Sequence, residues 1–360
     1  VKVINKSTSF EILEKISVQT EDTKLKLRGT DLASTIDTIL DANVIEHGAS
    51  TIDAKTFMEI LDKVKTEDVR IKFDIENEEI IIVSGSAKFK ILNEIKSETF
   101  PDIDSVDKTF YFTIDREEFV KGVGYTLFSV SKDTENKQFL SGINLTVDDS
   151  NKVTFISTDS QRLSKYETMA LDKVSATDRP FTYILPSNSA KIMQELAKVP
   201  GNPITIYWAG NIIMCEIDNS VYYSRLIEAK YPDISRVIPK DFNTEISIGK
   251  NNFLEILGRM NIASKDNGDR TIISCAENEI VFSAETKEHN ILIEEQVNCV
   301  KTGANIEKMC IHVRHVMDAL AVFDNTAQMA ELKIVGAEKA FMIKMEGNEK
   351  FTHVLMPIRL

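Results

Sequence analysis

His312 and His315 stand three positions apart, the spacing at which one face of a helix can offer two imidazoles to a metal. No third ligand is identifiable, so a wall of a binding pocket is the better reading of the pair. Asp159 adjoins Ser160, but the five histidines are scattered and yield no Ser-His-Asp or Cys-His arrangement. Gly122-Val123-Gly124 is too short to cradle a phosphate and falls inside a helical pattern. The cysteines (Cys215, Cys275, Cys299 and Cys310) include no C-x-x-C pair, which fits buried thiols in a reducing cytoplasm better than disulfides or zinc. No catalytic residue, metal site or cofactor is expected, and the chain reads as a non-enzyme.

The elements that position these residues are organised by repetition. Thr30-Asp31-Leu32 returns as Thr158-Asp159-Ser160, 128 residues on, and more weakly as Ala284-Glu285-Thr286. Phe100-Pro101-Asp102-Ile103 returns as Tyr231-Pro232-Asp233-Ile234 after 131 residues. A long internal period dictates the architecture, here three similar domains over 1–107, 108–239 and 240–360. Three full periods exceed the 360 residues present, and the chain starts with Val1, so the first domain is expected to lack about twenty residues and one helix.

Each period divides in two. Short apolar segments at 51–53, 112–115, 183–186, 246–249 and 311–313 lead into stripes of helical period. Phe57, Ile60, Leu61 and Val64 form one stripe; Phe253, Ile256, Leu257 and Met260 another; Val316, Ala319, Leu320 and Phe323 a third. Looser stripes run through Phe119, Val123, Leu127 and Val130, and through Ala190, Met193 and Ala197. Asp115 with Glu118 resembles a capping box, and Ser187 can cap the helix that follows it. Between the helices the chain reads as strands at 24–28, 69–75, 80–83, 87–92, 153–157, 204–208, 212–217, 271–274, 280–284, 331–335 and 340–345. Several pairs are joined by turn-like tips, which makes the class α+β, with two helices on antiparallel sheets in each complete domain.

Net charge is −13, which argues against a generally basic surface that coats nucleic acid. The five helical windows (53–65, 115–130, 186–199, 249–263, 312–323) carry ten Lys/Arg and nine Asp/Glu, whereas the remainder carries 33 and 47. Acidity is kept off the helices. A surface made of helices would repel a polyanion far less than the outside does. No apolar run is long enough to span a bilayer, and no secretory signal opens the chain.

Ser157-Thr158-Asp159-Ser160-Gln161-Arg162-Leu163 resembles the (A/S)-T-D-G-H-R-L segment of the bacterial sliding clamps, the beta subunit of DNA polymerase III. Val354-Leu355-Met356-Pro357-Ile358-Arg359-Leu360 is similar to the V-M-P-M-R-L ending of that family. Leu27-Arg28-Gly29-Thr30-Asp31-Leu32 and the Phe/Tyr-Pro-Asp segments fit as well, and the likeness runs from about Ile12 to Leu360. The resemblance implies a head-to-tail homodimer closed into a ring of six domains, with helices lining a hole for duplex DNA. It implies a cytoplasmic processivity factor that slides without reading sequence, is placed by a clamp loader, and holds DNA polymerase III and other proteins bearing a clamp-binding motif. The rival expectation is a clamp-derived interaction scaffold that does not encircle DNA.

By the same resemblance, partner peptides enter a pocket between the second and third domains. Its matching positions are Leu140, Thr158, Ser160, Gln161, Arg162, Leu163, Pro232, Arg236, Val237, His312, His315, Ala340, Met356, Pro357, Ile358, Arg359 and Leu360. Leu163, Val237, Pro232 and Met356 would wall the apolar anchors, and Arg162 and Arg236 would donate at the rim. Phe89, Ile91 and Ile262 match the ring contact, with Lys88 facing Glu294 or Glu295 across it. The candidate DNA-facing residues are Lys55, Lys63, Lys121, Lys137, Lys191, Lys198, Lys250 and Arg259. Ser160-Gln161 replaces the usual Gly-His, His315 stands where a Tyr is common, and Ala263 replaces a larger apolar neighbour of Ile262. These departures mark a divergent member with its own peptide preference.

Overall fold

The computed structural model describes residues 3–4, 10–64, 68–74, 76–92, 100–102, 106–174, 181–286, 288–323 and 327–360. Ile75 and Ile103, which belong to the expected strand at 69–75 and to the Phe-Pro-Asp segment, lie outside them. The chain begins with β1 (Lys15–Glu21), β2 (Lys24–Thr30), β3 (Ser34–Asp41), β4 (Ala49–Asp53), α1 (Ala54–Lys63), β5 (Arg70–Asp74), β6 (Glu79–Ser84) and β7 (Ala87–Leu92). The middle holds β8 (Tyr111–Ile114), α2 (Arg116–Thr126), β9 (Gly142–Val147), β10 (Lys152–Thr158), β11 (Arg162–Val174), β12 (Phe181–Pro186), α3 (Ser187–Ala197), β13 (Ile204–Ala209), β14 (Ile212–Ile217) and β15 (Ser220–Arg225). Then come β16 (Thr244–Gly249), α4 (Lys250–Ser264), β17 (Arg270–Ala276), β18 (Glu279–Thr286), β19 (Ile291–Asn298), β20 (Val300–Gly303) and β21 (Ile306–His312). The last elements are α5 (Val313–Ala321), β22 (Met329–Ile334), β23 (Phe341–Met345) and β24 (Phe351–Leu355). Every expected helix window contains a helix, and the class is α+β with antiparallel sheets.

The contacts group into two compact units. Unit 1 comprises residues 1–117, 171–177 and 191–226; unit 2 comprises 118–170, 178–190 and 227–360. In unit 1 the strands pair antiparallel in the order β4-β1-β2-β3-β15-β14-β13-β8. A second sheet, β5-β6-β7, ends on β7. Phe57 and Ile60 of α1 bury against Ile16, Val18, Ile52, Ile80 and Ile82, which come from alternate positions of β1, β4 and β6. Asp53 starts α1 by accepting the Thr56 N–H at 2.7 Å.

In unit 2 the order is β12-β9-β10-β11-β24-β23-β22-β16-β20, with β19-β18-β17-β21 as a second sheet. Phe253, Ile256, Leu257 and Met260 of α4 are fully buried, as are Val316, Ala319 and Leu320 of α5, so each apolar stripe is a core face. Phe253 meets Phe282 of β18 at 5.6 Å between ring centroids. Gly122 of α2 has a packing role: a Cβ there would lie 2.6 Å from the Phe155 ring. Phe155 in turn packs edge-on against Phe119 at 5.9 Å.

The repeat is visible bond by bond. Thr158 Oγ1 donates to Arg162 O (2.6 Å) and accepts the Ser160 N–H (3.1 Å), while Asp159 Oδ1 accepts the N–H groups of Gln161 (2.9 Å) and Arg162 (3.0 Å). Thr30 Oγ1 donates to Ser34 O (3.0 Å) and accepts the Leu32 N–H (3.1 Å), while Asp31 Oδ1 accepts from Ala33 (3.0 Å) and Ser34 (2.6 Å). Threonine and aspartate are required because each bridges backbone groups that the tight turn leaves unpaired. Ala284-Glu285-Thr286 makes no such turn; it stays within β18, with Thr286 paired to Ile291 of β19.

Candidate functional site

The Thr158 turn joins β10 to β11, and β11 continues into the seam with β24, where Arg162 opposes Leu355 and Leu163 opposes Val354. Beyond β24 the Met356 N–H donates to Gln161 O at 2.9 Å, and the Ile358 N–H to Cys310 O at 2.8 Å. The C-terminal residues are thereby tied to the Thr158 turn and to β21. Leu163, Met342 and Val354 form a buried apolar cluster, against which Ile156, Ile234, Ile238, Phe242 and Ala340 pack. Over this floor Pro232, Val237 and Met356 are exposed, as are Arg236, Arg359 and Leu360. Leu140 is buried at the end of a 3₁₀ turn, Gln138–Leu140. The arrangement is an apolar floor with exposed apolar and basic edges, which suits a short peptide with hydrophobic anchors.

Arg162 departs from its expected place. Only 9% of its side chain is exposed. Its Nε donates to Asp159 Oδ2 at 2.9 Å, its Nη1 to Asp318 Oδ2 at 2.6 Å, and its guanidinium lies 5.5 Å from the Phe128 ring centre. The Asp318 contact ties the turn to α5 and the Asp159 contact tightens the turn itself, so Arg162 is a brace, whereas Arg236 is exposed. Ser160 has φ of 83°, a left-handed conformation that favours the glycine it replaces. Its hydroxyl receives Lys137 Nζ at 3.2 Å. Lys137, expected to face DNA, therefore stands at the edge of this site.

His312 and His315 stack face to face, with ring centroids 3.6 Å apart and planes 5° from parallel. His312 Nδ1 accepts the His315 N–H at 3.4 Å and caps α5, which puts the His312 proton on Nε2, 3.7 Å from Asp269 Oδ2. Asp269 is already paired with Arg314 at 3.0 Å. Burial, reinforced by the Arg162 charge, holds His315 down at about 4. His312 is lowered mainly by burial. Fully buried His353, bonded through Nδ1 to Ser164 Oγ at 2.8 Å, is lowered by burial and Arg162 to about 3. The pair is thus neutral near pH 7 and forms a flat aromatic stack. Burial also raises the Tyr231 phenol.

Met342, Ile238, Phe242, Asp318 and His353 escaped the sequence reading. Met342 and His353 lie on short strands that are buried on both faces, so alternation does not mark which side they line. Ile238 and Phe242 lie in an irregular segment with no period to follow. A cavity of about 260 Å³ lies elsewhere in unit 2, lined by Glu118, Lys121, Tyr125, Glu346 and Lys350 among others. Its walls are polar, with Glu118 accepting from Tyr166 Oη at 3.0 Å and Lys350 Nζ at 2.8 Å. The Leu163 floor is the better match for apolar anchors.

The candidate DNA-facing cations divide. Lys55, Lys63 and Lys191 are exposed on helices, Lys198 is exposed just past the end of α3 and close to Glu195, and Lys121 is half-buried. Lys250 is a correction: it is 6% exposed and its Nζ donates to Phe323 O at 2.9 Å, closing the end of α5 rather than meeting a polyanion. Arg259 is answered by a bidentate Glu295 at 2.8 and 2.6 Å.

For the ring contact, Phe89 and Ile91 are half-buried against the core of unit 1, whereas the next outward residue, Leu92, is 80% exposed. Ile262 is 54% exposed on α4, and Leu292 projects from β19. Both β7 and β19 are edge strands of their sheets. Glu295 is taken by Arg259, whereas Glu294 and Lys88 are both exposed.

Models of the DNA polymerase III beta subunit match this chain from end to end: the N-terminal domain over residues 1–104, the central domain over 113–233 and the C-terminal domain over 235–359. The beta sliding clamp of Staphylococcus aureus is 24% identical over 367 aligned residues, covering 100% of this chain and 95% of that protein. The fold is similar to the DNA polymerase sliding clamp of Bacillus subtilis (TM-score 0.88, 22% identity, 100% and 94% of the two chains). It is also similar to the DNA polymerase III subunit beta of Pseudomonas aeruginosa (TM-score 0.90, 20% identity, 99% and 95%).

Proposed function

Since this chain belongs to the DNA polymerase III beta subunit family and is a sliding clamp, we propose that two copies close head-to-tail around duplex DNA as a processivity factor without a catalytic site of its own. The domains run over 1–107, 108–239 and 240–360, close to the three family matches. In each joint β7 of one copy pairs with β19 of the other, a sheet-edge addition that hides two sets of unpaired backbone groups. Lys88 meets Glu294, and Leu92 buries with Ile262 and Leu292. A contact between unlike surfaces that closes after two copies gives a ring and not a fibre.

Within the ring DNA is held by topology and by weak phosphate contacts from Lys55, Lys63, Lys121, Lys191 and Lys198, which carry no sequence information. An acidic exterior keeps DNA from binding the outside. DNA polymerase III and other proteins with a clamp-binding motif dock their hydrophobic anchors on Leu163, Val237 and Met356, and a clamp loader opens the ring through the same site. The work is cytoplasmic. No helix among the described residues is long and apolar enough to cross a membrane.

The observation that carries the partner site is the Leu163–Met342–Val354 floor with exposed Met356 at its edge. Fluorescence anisotropy with a labelled Gln-Leu peptide tests it. Met356→Asp and a chain ending at Leu355 should both lose binding while keeping dimer mass; unchanged affinity would refute the assignment.

A further inference from the structure

The turn at the partner site has an exposed copy in unit 1. The four bonds of the Thr158 turn recur in the Thr30 turn, and the likeness extends past it. The Arg225 N–H donates to Ala33 O at 2.9 Å, as the Met356 N–H does to Gln161 O at 2.9 Å. Arg225 therefore stands where the partner site has Met356. Pro101 and Val106 stand where it has Pro232 and Val237.

At the tip, Leu32 occupies the place of Ser160 with φ of 70°, and it is 54% exposed. Left-handed backbone at a branched, bulky residue costs about 1 kcal/mol, and a leucine more than half exposed recovers only part of what full burial would give. Glycine would serve the turn better, so folding alone does not account for this leucine. Arg225 is exposed and has no ion-pair partner among the described residues. Arg28, two residues before the turn, is by contrast held by Asp37 and Asp102. An exposed aliphatic tip, with an unanswered arginine on the strand end whose backbone bonds to the same turn, fits a carboxylate next to an aliphatic side chain.

We propose that Leu32 and Arg225 form a second docking surface, one that takes an extended peptide carrying an acidic residue beside an aliphatic one. The inference rests on the reading of the Met356 site as the partner pocket, whose turn it duplicates. A carboxylate accepts from Arg225 while the aliphatic side chain covers Leu32. The Met356 site differs at the equivalent position, where it offers an exposed thioether in place of a guanidinium.

The full chain is tested with two benzophenone-bearing peptides, one of alternating Asp and Leu and one of the Gln-Leu kind, with adducts mapped by mass spectrometry. The Asp-Leu probe should label residues 30–34 or 225–226 and should still do so in Met356→Asp, which loses Gln-Leu labelling. Arg225→Glu should weaken Asp-Leu binding roughly tenfold. Leu32→Gly should weaken it by a similar factor while holding or raising the melting temperature, a combination that a purely structural leucine would not give. Asp-Leu adducts confined to the Met356 site, or affinity unchanged in both variants, would overturn the proposal. So would a doubling of molecular mass that Leu32→Gly abolishes, since a second copy would then be the occupant. If the Gln-Leu probe fails to label the wild-type pocket, it is the pocket reading that fails.

Discussion

Arg162 and Asp318, 156 positions apart, are joined by a 2.6 Å hydrogen bond between Nη1 and Oδ2. The same guanidinium holds Asp159 at 2.9 Å, so one residue couples the Thr158 turn to α5. Arg162→Ala would strip both carboxylates of their partner and unfasten the turn. Breaking a fully buried pair costs about 3–5 kcal/mol; with Asp318 half exposed, about 2 kcal/mol is expected. Urea denaturation measures it, and an unchanged midpoint would mean the brace is dispensable.

Ser160→Gly should stabilise the chain. The left-handed backbone at φ 83° penalises serine, and relieving it should outweigh the lost Lys137 bond and the extra freedom of glycine when unfolded, leaving about 0.5 kcal/mol. The expected shift is a small rise in melting temperature. A fall would show that the Lys137–Ser160 contact matters more than the backbone.

Much of this molecule is legible in sequence because its cores are periodic. Phe253, Ile256, Leu257 and Met260 could only be one buried helix face, and Thr158-Asp159 could only bridge a tight turn. What escaped depends on distance in the chain. Nothing local marks Asp318 as the counter-ion of Arg162, or Phe323 O as the acceptor that draws Lys250 inside. A lysine on a helix and an arginine beside a pocket carry the same letters whether free or buried. The inward packing of Phe89 and Ile91 and the outward exposure of Leu92 follow from which face of β7 the α1 core occupies, and alternation alone does not reveal that.

Acid should loosen the site. His315 and His353 titrate at about 4 and 3 in the folded chain against 6.5 for the free group, so the unfolded chain takes up their protons first. Stability is complete above pH 6.5 and falls as pH drops towards 4, by at most about 1.4 kcal/mol per pH unit for each histidine. Denaturation midpoints at pH 7, 6 and 5 should decline less in His353→Gln than in the wild type. Parallel profiles would remove His353 from the explanation. Gln-Leu peptide affinity should also drop below about pH 5, once a charge enters the stacked pair.

The ring joint gives a solution test. Leu92→Asp combined with Ile262→Asp places two carboxylates in each joint and should produce monomers by sedimentation. A dimer that survives both changes would mean that the copies meet elsewhere.

Topology is the most direct test of a clamp. The protein, placed by a bacterial clamp loader on a nicked circular plasmid, should remain with the DNA through gel filtration in high salt. A single restriction cut should then release it, because a ring held by closure slides off an end while phosphate contacts are screened. Protein that stays bound after linearisation, or never survives the high-salt column on the intact circle, would contradict encirclement and favour a scaffold that binds DNA from outside or not at all.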